Sequence, residues 1–415
     1  MSPSAVTSAA IPSHVPPNLV RDIDVYNIEV GEDPQRDFAE KFRDEPDLFY
    51  IPRTVKDPQW GNWVVTRRAD IQRIMQDTEH FTTRGISGFD RAFGGDEWLA
   101  YPLEADPPLH GHFRAILNPL FSPIRIKAME SNVRQYTIEV IESIKEKGQA
   151  DFAEIARKLP AGLFSHFLGL TIDETMQVMS NVRLILHSGY EPETRKRGIE
   201  WLMNFERELL ERRAREGGDD LITMMLQARI DGRPLTDKEM FGLFFFFLLA
   251  GLDTVASATV LHFRHLALDA PLRRRLVADP ALIPVAIEEL LRRYSQIVTN
   301  RFVAQDTELH GVTLRKGDNI ILALPLANLD PTAVSDPLSV DLERPANPHI
   351  AFGTGPHRCI GSNIARQQLK LTYEEWFKRI PEFYVTPGAK VQAICSEAIV
   401  LANLPMSWDI ASGAV

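Results

Sequence analysis

The run from Met240 to Phe263 limits what this chain can fold into more than any other segment. It contains Phe241-Gly242-Leu243-Phe244-Phe245-Phe246-Phe247-Leu248-Leu249-Ala250-Gly251-Leu252. A helix made of these residues is apolar on every side, so it either crosses a membrane or runs through the middle of a folded protein. Asp253 stands at its centre. A carboxylate at the bilayer midplane costs about 2.5–3.5 kcal/mol on insertion scales, and no second apolar run exists to share it. The reading is a long helix buried all round, with no membrane.

A chain of 415 residues, 44% of them hydrophobic, can bury a large core around such a helix. The formal net charge of -10, with no dense Lys/Arg block, argues against nucleic acid as a partner. The two cysteines, Cys359 and Cys395, have no C-x-x-C spacing and follow no secretory leader, which points to a reducing cytoplasm. The first seventeen residues are rich in Ser, Ala and Pro. Residues 1–33 read as a flexible tail and lead-in, and 34–415 as one domain.

Hydrophobic periodicity is mostly helical. Helices are expected over Arg68 to Gln76, from Leu109 onward, and over Pro123 to Lys147, Ile172 to His187, Glu193 to Arg215 and Asp219 to Arg229. Others are expected over Thr236 to Phe263, Leu282 to Tyr294 and Ile360 to Phe377. Beta structure is expected at Trp63 to Thr66 and within Arg301 to Leu324. The class is mainly α with a smaller β part. Neither an alternating βα pattern nor a G-x-G-x-x-G after a strand is present, so any redox chemistry draws its electrons from another protein.

Four motifs carry chemistry. Phe352-Gly353-Thr354-Gly355-Pro356-His357-Arg358-Cys359-Ile360-Gly361 presents one cysteine on a glycine-rich loop leading into a helix, beside two basic residues. The positive end of that helix and the neighbouring cations favour thiolate, the form that binds metals. Glu289-Leu290-Leu291-Arg292 sets a carboxylate and a guanidinium on one helix face. Ala250-Gly251-Leu252-Asp253-Thr254 puts an acid and a hydroxyl where polar groups are least expected. They either serve chemistry or are satisfied locally, Thr254 by the carbonyl four residues earlier and Asp253 by a basic residue. Asp106-Pro107-Pro108-Leu109-His110-Gly111-His112-Phe113-Arg114 brings His110 and Arg114 onto one face, where they could bind an anionic group.

The spacing of Phe352, Gly355, Cys359 and Gly361 resembles the haem-binding signature of the cytochrome P450 family. With the other motifs in the family's order, the resemblance covers roughly Pro34 to the C-terminus and is to the soluble bacterial type. Glu288 to Ser295, Ala250 to Val255, and Arg379 to Phe383 with Pro387-Gly388-Ala389 look particularly like the camphor 5-monooxygenase subfamily. The resemblance implies the P450 fold, with haem b between the long central helix and the cysteine-loop helix and Cys359 as axial ligand of the iron. It implies that Glu289 and Arg292 dock Arg344 to keep the cysteine loop rigid. In the central helix, Gly251 would permit a local opening, Thr254 would hydrogen-bond the oxygen being activated, and Asp253 would relay protons. His110, Arg114, Arg301 and His357 would bind haem propionates.

The implied activity is a monooxygenase placing one oxygen atom of O2 into a C–H bond of a monoterpenoid or norisoprenoid such as camphor, cineole or an ionone. Phe89, Leu103, Phe246, Leu249, Ile297 and Thr299 fall at the subfamily's pocket positions. Trp98 takes the place of the tyrosine that holds camphor's ketone, and Glu191 to Gly217 is shorter than its counterpart, so the chain departs from camphor hydroxylase in two places. The loop from Phe81 to Tyr101 reads as a mobile lid. Electrons would come from a two-iron ferredoxin served by a flavin-dependent reductase, docking at Arg114, Arg358, Arg366 and Arg73 of a monomer. The rival readings are a peroxide-dependent haem-thiolate enzyme and a non-catalytic haem or small-molecule binding protein.

Overall fold

The computed structural model describes residues 11–56, 60–88, 98–187 and 192–410. The chain forms two compact units, each assembled from three stretches. Met1–Ile86, Pro284–Cys359 and Lys390–Asn403 make the first; Ser87–Ile283, Ile360–Ala389 and Leu404–Val415 make the second. Cys359 ends one stretch of the first unit.

A five-stranded sheet organises the first unit. Leu48–Ile51 pairs antiparallel with Asn62–Val65, which lies parallel to Asn319–Ala323; Val298–Val303 and Phe81–Thr82 complete the order. Every residue of the first three strands is buried, which explains why they read as continuous apolar runs without alternation. The flexible lead-in expected over residues 1–33 is corrected for its described part. Val15 packs with Tyr50 and Trp63, Val25 is fully buried beside Phe38 and Phe49, and Val20 bridges to Tyr50. The prolines fix an extended backbone there, and a few apolar side chains suffice to anchor it.

The second unit is helical. At its centre runs Asp237–Leu268, started by a reciprocal pair in which Thr236 accepts from the Glu239 N–H and Glu239 accepts from the Thr236 N–H. It is five residues longer than the expected end at Phe263, because Arg264 and Leu266 are still buried and Asp269 caps the following helix. By length and composition this helix could cross a membrane, yet Leu243, Phe244, Leu248 and Phe263 are fully enclosed by protein. Burial all round is nevertheless corrected: Ala250 is exposed, and Phe246, Leu249, Asp253, Thr254 and Ser257 are only half-buried. Their spacing makes them one stripe of the helix surface.

The other expected helices are present, with ends shifted by a residue or two. Among the helices that were not expected, Phe152–Lys158 and Ala161–Leu168 pack on the central helix: Phe152 stacks on Phe263 at 4.5 Å, and Phe164 lies 5.2 Å from Phe247.

Candidate active site

The cysteine loop turns through Gly353 and Gly355, at φ +68° and +72°, a region open to glycine and strained for other residues. Gly355 is fixed twice over. A Cβ there would stand 2.5 Å from the Met75 carbonyl oxygen and 3.1 Å from the Gln76 Cα. The Gln76 side chain also donates to Thr354 Oγ1 at 3.1 Å. Within the loop, the Gly353 N–H reaches the Ile350 carbonyl at 2.8 Å and the Cys359 N–H reaches the Phe352 carbonyl at 2.9 Å. These bonds present Cys359 at the surface. Two residues on, Gly361 caps the helix Ser362–Arg379 without a side-chain acceptor for the first-turn N–H groups. The other cysteine is different in kind. Cys395 is half-buried, donates to the Val25 carbonyl at 3.5 Å, and has its thiol pushed up to about 11 by burial. Only Cys359 suits a metal that needs thiolate.

The structure brings Glu289, Arg292 and Arg344 together. Arg292, fully buried, makes a two-pronged bond to Glu289 at 2.8 and 2.9 Å, and Arg344 Nε donates to Glu289 at 3.1 Å. Burial alone would raise the Glu289 carboxyl; Arg292, the Asp341 N–H and Arg344 outweigh it, so its pKa ends below the ordinary range. Arg292 also donates to the backbone carbonyls of Asn328, Pro337 and Ser339 at 3.2, 2.7 and 2.8 Å. A route to the cysteine loop follows. The Asn328 side-chain oxygen accepts from the Ile350 N–H at 2.8 Å, and Ile350 in turn holds Gly353. Asn347 adds a bond to Glu289 at 3.1 Å. The two asparagines were not singled out in the sequence, because an Asn in a proline-punctuated segment reads as a turn residue.

In the same unit, Arg301 is buried on strand Val298–Val303 and donates to the Asn300 carbonyl at 2.7 Å. Ile297, Thr299 and Arg301 share one side of that strand by its two-residue repeat. His357 Nε2 lies 3.5 Å from Thr83 Oγ1. Arg73 and Arg358 are exposed, one on the helix end that touches Gly355 and the other in the loop itself.

The second unit holds the remaining candidates. His110 and Arg114 lie on helix Leu109–Leu117. Burial, and then the charge of Arg114, push His110 below its ordinary pKa against the pull of Asp106, so its imidazole is neutral at pH 7. Trp98 stands edge-on to Phe241 at 5.2 Å, and Leu103 is half-buried. Phe246, Leu249, Asp253 and Thr254 share the open stripe of the central helix. Phe89 and residues 89–97 of the expected lid lie outside the described residues.

Two features of this helix bear on the expected roles of Gly251 and Thr254. It is continuous through Gly251, with no local opening, and Thr254 Oγ1 donates to the Ala250 carbonyl at 2.8 Å. What Gly251 permits is close approach: a Cβ there would lie 2.2 Å from Phe164 Cζ.

Each unit carries groups that a flat, iron-bearing, acid-substituted cofactor asks of a protein. Such a group brings most of its own ligands and needs one soft donor, cations and an open apolar surface. The first unit offers Cys359 and Arg301, and the second offers Arg114 and the Phe246–Ser257 stripe. Among the described residues, no group of three or more His, Cys, Asp or Glu could hold a metal ion by itself.

Comparison with known proteins agrees. A family model described as cytochrome P450 matches residues 278–405. Probable cytochrome P450 127A1 of Sinorhizobium fredii is 36% identical over 410 residues, covering 97% of this chain and 98% of its own. The crystal structure of CYP101J2 superposes with a TM-score of 0.87 at 29% identity, covering 97% of this chain and 100% of that one. That of CYP101C1 gives 0.86 at 28%, covering 96% and 100%.

Proposed function

Because the chain belongs to the cytochrome P450 family and is a haem b monooxygenase of the bacterial type near the CYP101 group, we propose that Cys359 is its axial thiolate and that its substrate is a compact terpenoid. The observation that carries the ligand assignment is the contrast between the two cysteines: one exposed and presented by a left-handed glycine turn, the other half-buried with its thiol raised.

Bound haem supplies the activation of O2 and the insertion of one of its oxygen atoms into a C–H bond. The chain supplies the rest. Arg114, Arg301, His110 and His357 would bind the cofactor's propionates by charge and hydrogen bond. Phe352, Gly355 and Gly361 frame the cofactor. Glu289, Arg292 and Arg344 hold the segment that begins the cysteine loop.

On the oxygen side, the Thr254 hydroxyl donates to Ala250 and has lone pairs with which to accept, and Asp253, half-buried beside it, carries protons in from solvent. Leu103, Phe246 and Leu249 in the second unit, and Ile297 and Thr299 in the first, are side chains suited to a hydrocarbon skeleton. Trp98, anchored on Phe241, replaces the ketone-binding tyrosine of camphor hydroxylase.

Electrons arrive from a two-iron ferredoxin with a flavin-dependent reductase. The exposed guanidinium groups of Arg73 and Arg358 support docking near the cysteine loop, with Arg114 and Arg366 adding charge. The enzyme works as a cytoplasmic monomer.

Titrating the ferric protein with camphor, cineole and ionones, and following the Soret band, tests the substrate class. A low-spin to high-spin conversion with one skeleton is expected. No conversion with any of them would reject terpenoids and leave the monooxygenase assignment standing.

A further inference from the structure

Gly251 does not serve its own backbone, since its φ is helical and the helix is unbroken there. Its role is spatial. The Phe164 ring points end-on into the hollow a side chain would fill, with Cζ, Cε2 and Cε1 at 2.2, 2.9 and 3.3 Å from the position of a Cβ. The ring is held from behind. Phe164 is 4% exposed, lies 5.2 Å from Phe247 one helical turn earlier, and lies 6.5 Å from Phe167. Phe167 and Phe121 pack on Phe247 at 5.6 and 6.2 Å, and on each other at 5.5 Å. Three rings from outside the helix, Phe121, Phe164 and Phe167, therefore pack on the Phe247 ring, and Phe164 also closes on the helix at Gly251. The turn they brace is the one closed by the Thr254 to Ala250 hydrogen bond.

We propose that Phe164 is a positioning residue for oxygen activation: seated against Gly251, its ring keeps the Ala250–Thr254 turn closed and sets how readily that turn loosens to pass protons. Outward movement of the backbone at residue 251 meets the ring at once, and the cage of Phe121, Phe167 and Phe247 keeps the ring from swinging aside. This rests on the reading of Asp253 and Thr254 as the proton-delivery pair.

The test uses the haem-loaded protein and the variants Phe164→Leu, Gly251→Ala, the two combined, and Phe164→Met as a milder change should Phe164→Leu fail to fold. Amide hydrogen exchange along the central helix is read first, since it needs no substrate. Phe164→Leu should speed exchange at residues 251–256 about tenfold or more and leave residues 259–266 unchanged; Phe164→Met should do the same to a lesser degree. In the combined variant the added methyl occupies space the ring has vacated, so exchange should return toward that of the parent. The fraction of reducing equivalents ending in product, as against peroxide, should fall several-fold in Phe164→Leu and recover in the pair, with the thiolate-type carbon monoxide spectrum unchanged in all.

Uniformly faster exchange along the whole helix, or no rescue in the pair, would overturn the proposal. Thr254→Ala separates the two layers. If it leaves coupling unchanged, the proton-delivery reading fails; if it uncouples while the Phe164 variants alter neither exchange nor coupling, only this proposal fails.

Discussion

At the cysteine loop, Gly355 adopts φ +72° and faces the Met75 backbone carbonyl; in the central helix, Gly251 keeps helical geometry and faces the tip of the Phe164 side chain. The first glycine answers to main chain that cannot give way, the second to a ring that can be replaced. The supports differ in the same sense. Behind the loop stands a buried ionic network, Glu289 with Arg292 and Arg344, joined through Asn328 to Ile350. Behind the helical turn stand the rings of Phe121, Phe164, Phe167 and Phe247. Rigid polar support suits a segment that presents a ligand in one place, and shape-based support suits one that must loosen during the reaction.

The largest effect is expected where the polar support is cut. Glu289→Ala leaves Arg292 and Arg344 buried without their carboxylate, which costs about 3–5 kcal/mol. Chemical unfolding of the haem-loaded protein should show this loss together with weaker haem retention; a loss under about 1 kcal/mol would erase the contrast between the regions. Next comes Gly355→Ala, where backbone strain alone costs about 1–3 kcal/mol and the Met75 carbonyl adds a clash. Thermal unfolding should place this variant well below the parent, and a second substitution at Met75 should not restore it, because the obstacle is main chain.

The smallest effect concerns buried carboxyls. Glu206 in the second unit is 6% exposed, and its Oε1 finds no hydrogen-bond partner among the described residues. Burial, with Asp237 adding and Arg207 opposing, pushes it up to about 8. Its folded pKa lies above the unfolded one, so the native state binds the extra proton and stability falls as pH rises from the ordinary carboxylate range to about 8. Glu289 has the opposite sign: its contribution is complete above the ordinary carboxylate range and is lost as pH falls through its lowered folded value. Glu206→Gln should therefore flatten the decline and stabilise the protein by about 1–2 kcal/mol above pH 8. Unfolding curves from pH 5 to 9 would show it; a parallel curve for the variant would contradict the shift.

The cysteine loop was legible in the sequence because its chemistry demands fixed residue types at fixed spacing, each glycine answering a backbone need. The long helices were legible because their periodicity is sustained. What was not legible depends on packing at a distance. Ala161–Leu168 is short and apolar almost throughout, with Leu163, Phe164, Phe167 and Leu168 all buried, so it offers little periodicity to read. Its Phe164 supplies the reason for Gly251, which the sequence alone reads as a hinge. Glu206 hides within Phe205-Glu206-Arg207-Glu208, which looks like surface; only its spacing with Ile199, Leu202 and Leu209 marks it as facing the core.

The central claim is that Cys359, and not Cys395, is the axial ligand. Reducing the haem-loaded protein under carbon monoxide, alongside Cys359→Ser and Cys395→Ser, tests it most directly. The account predicts a red-shifted, thiolate-type Soret band in the parent and in Cys395→Ser, and its loss in Cys359→Ser. A thiolate-type band that survives in Cys359→Ser, or is absent from the folded and haem-loaded parent, would contradict it.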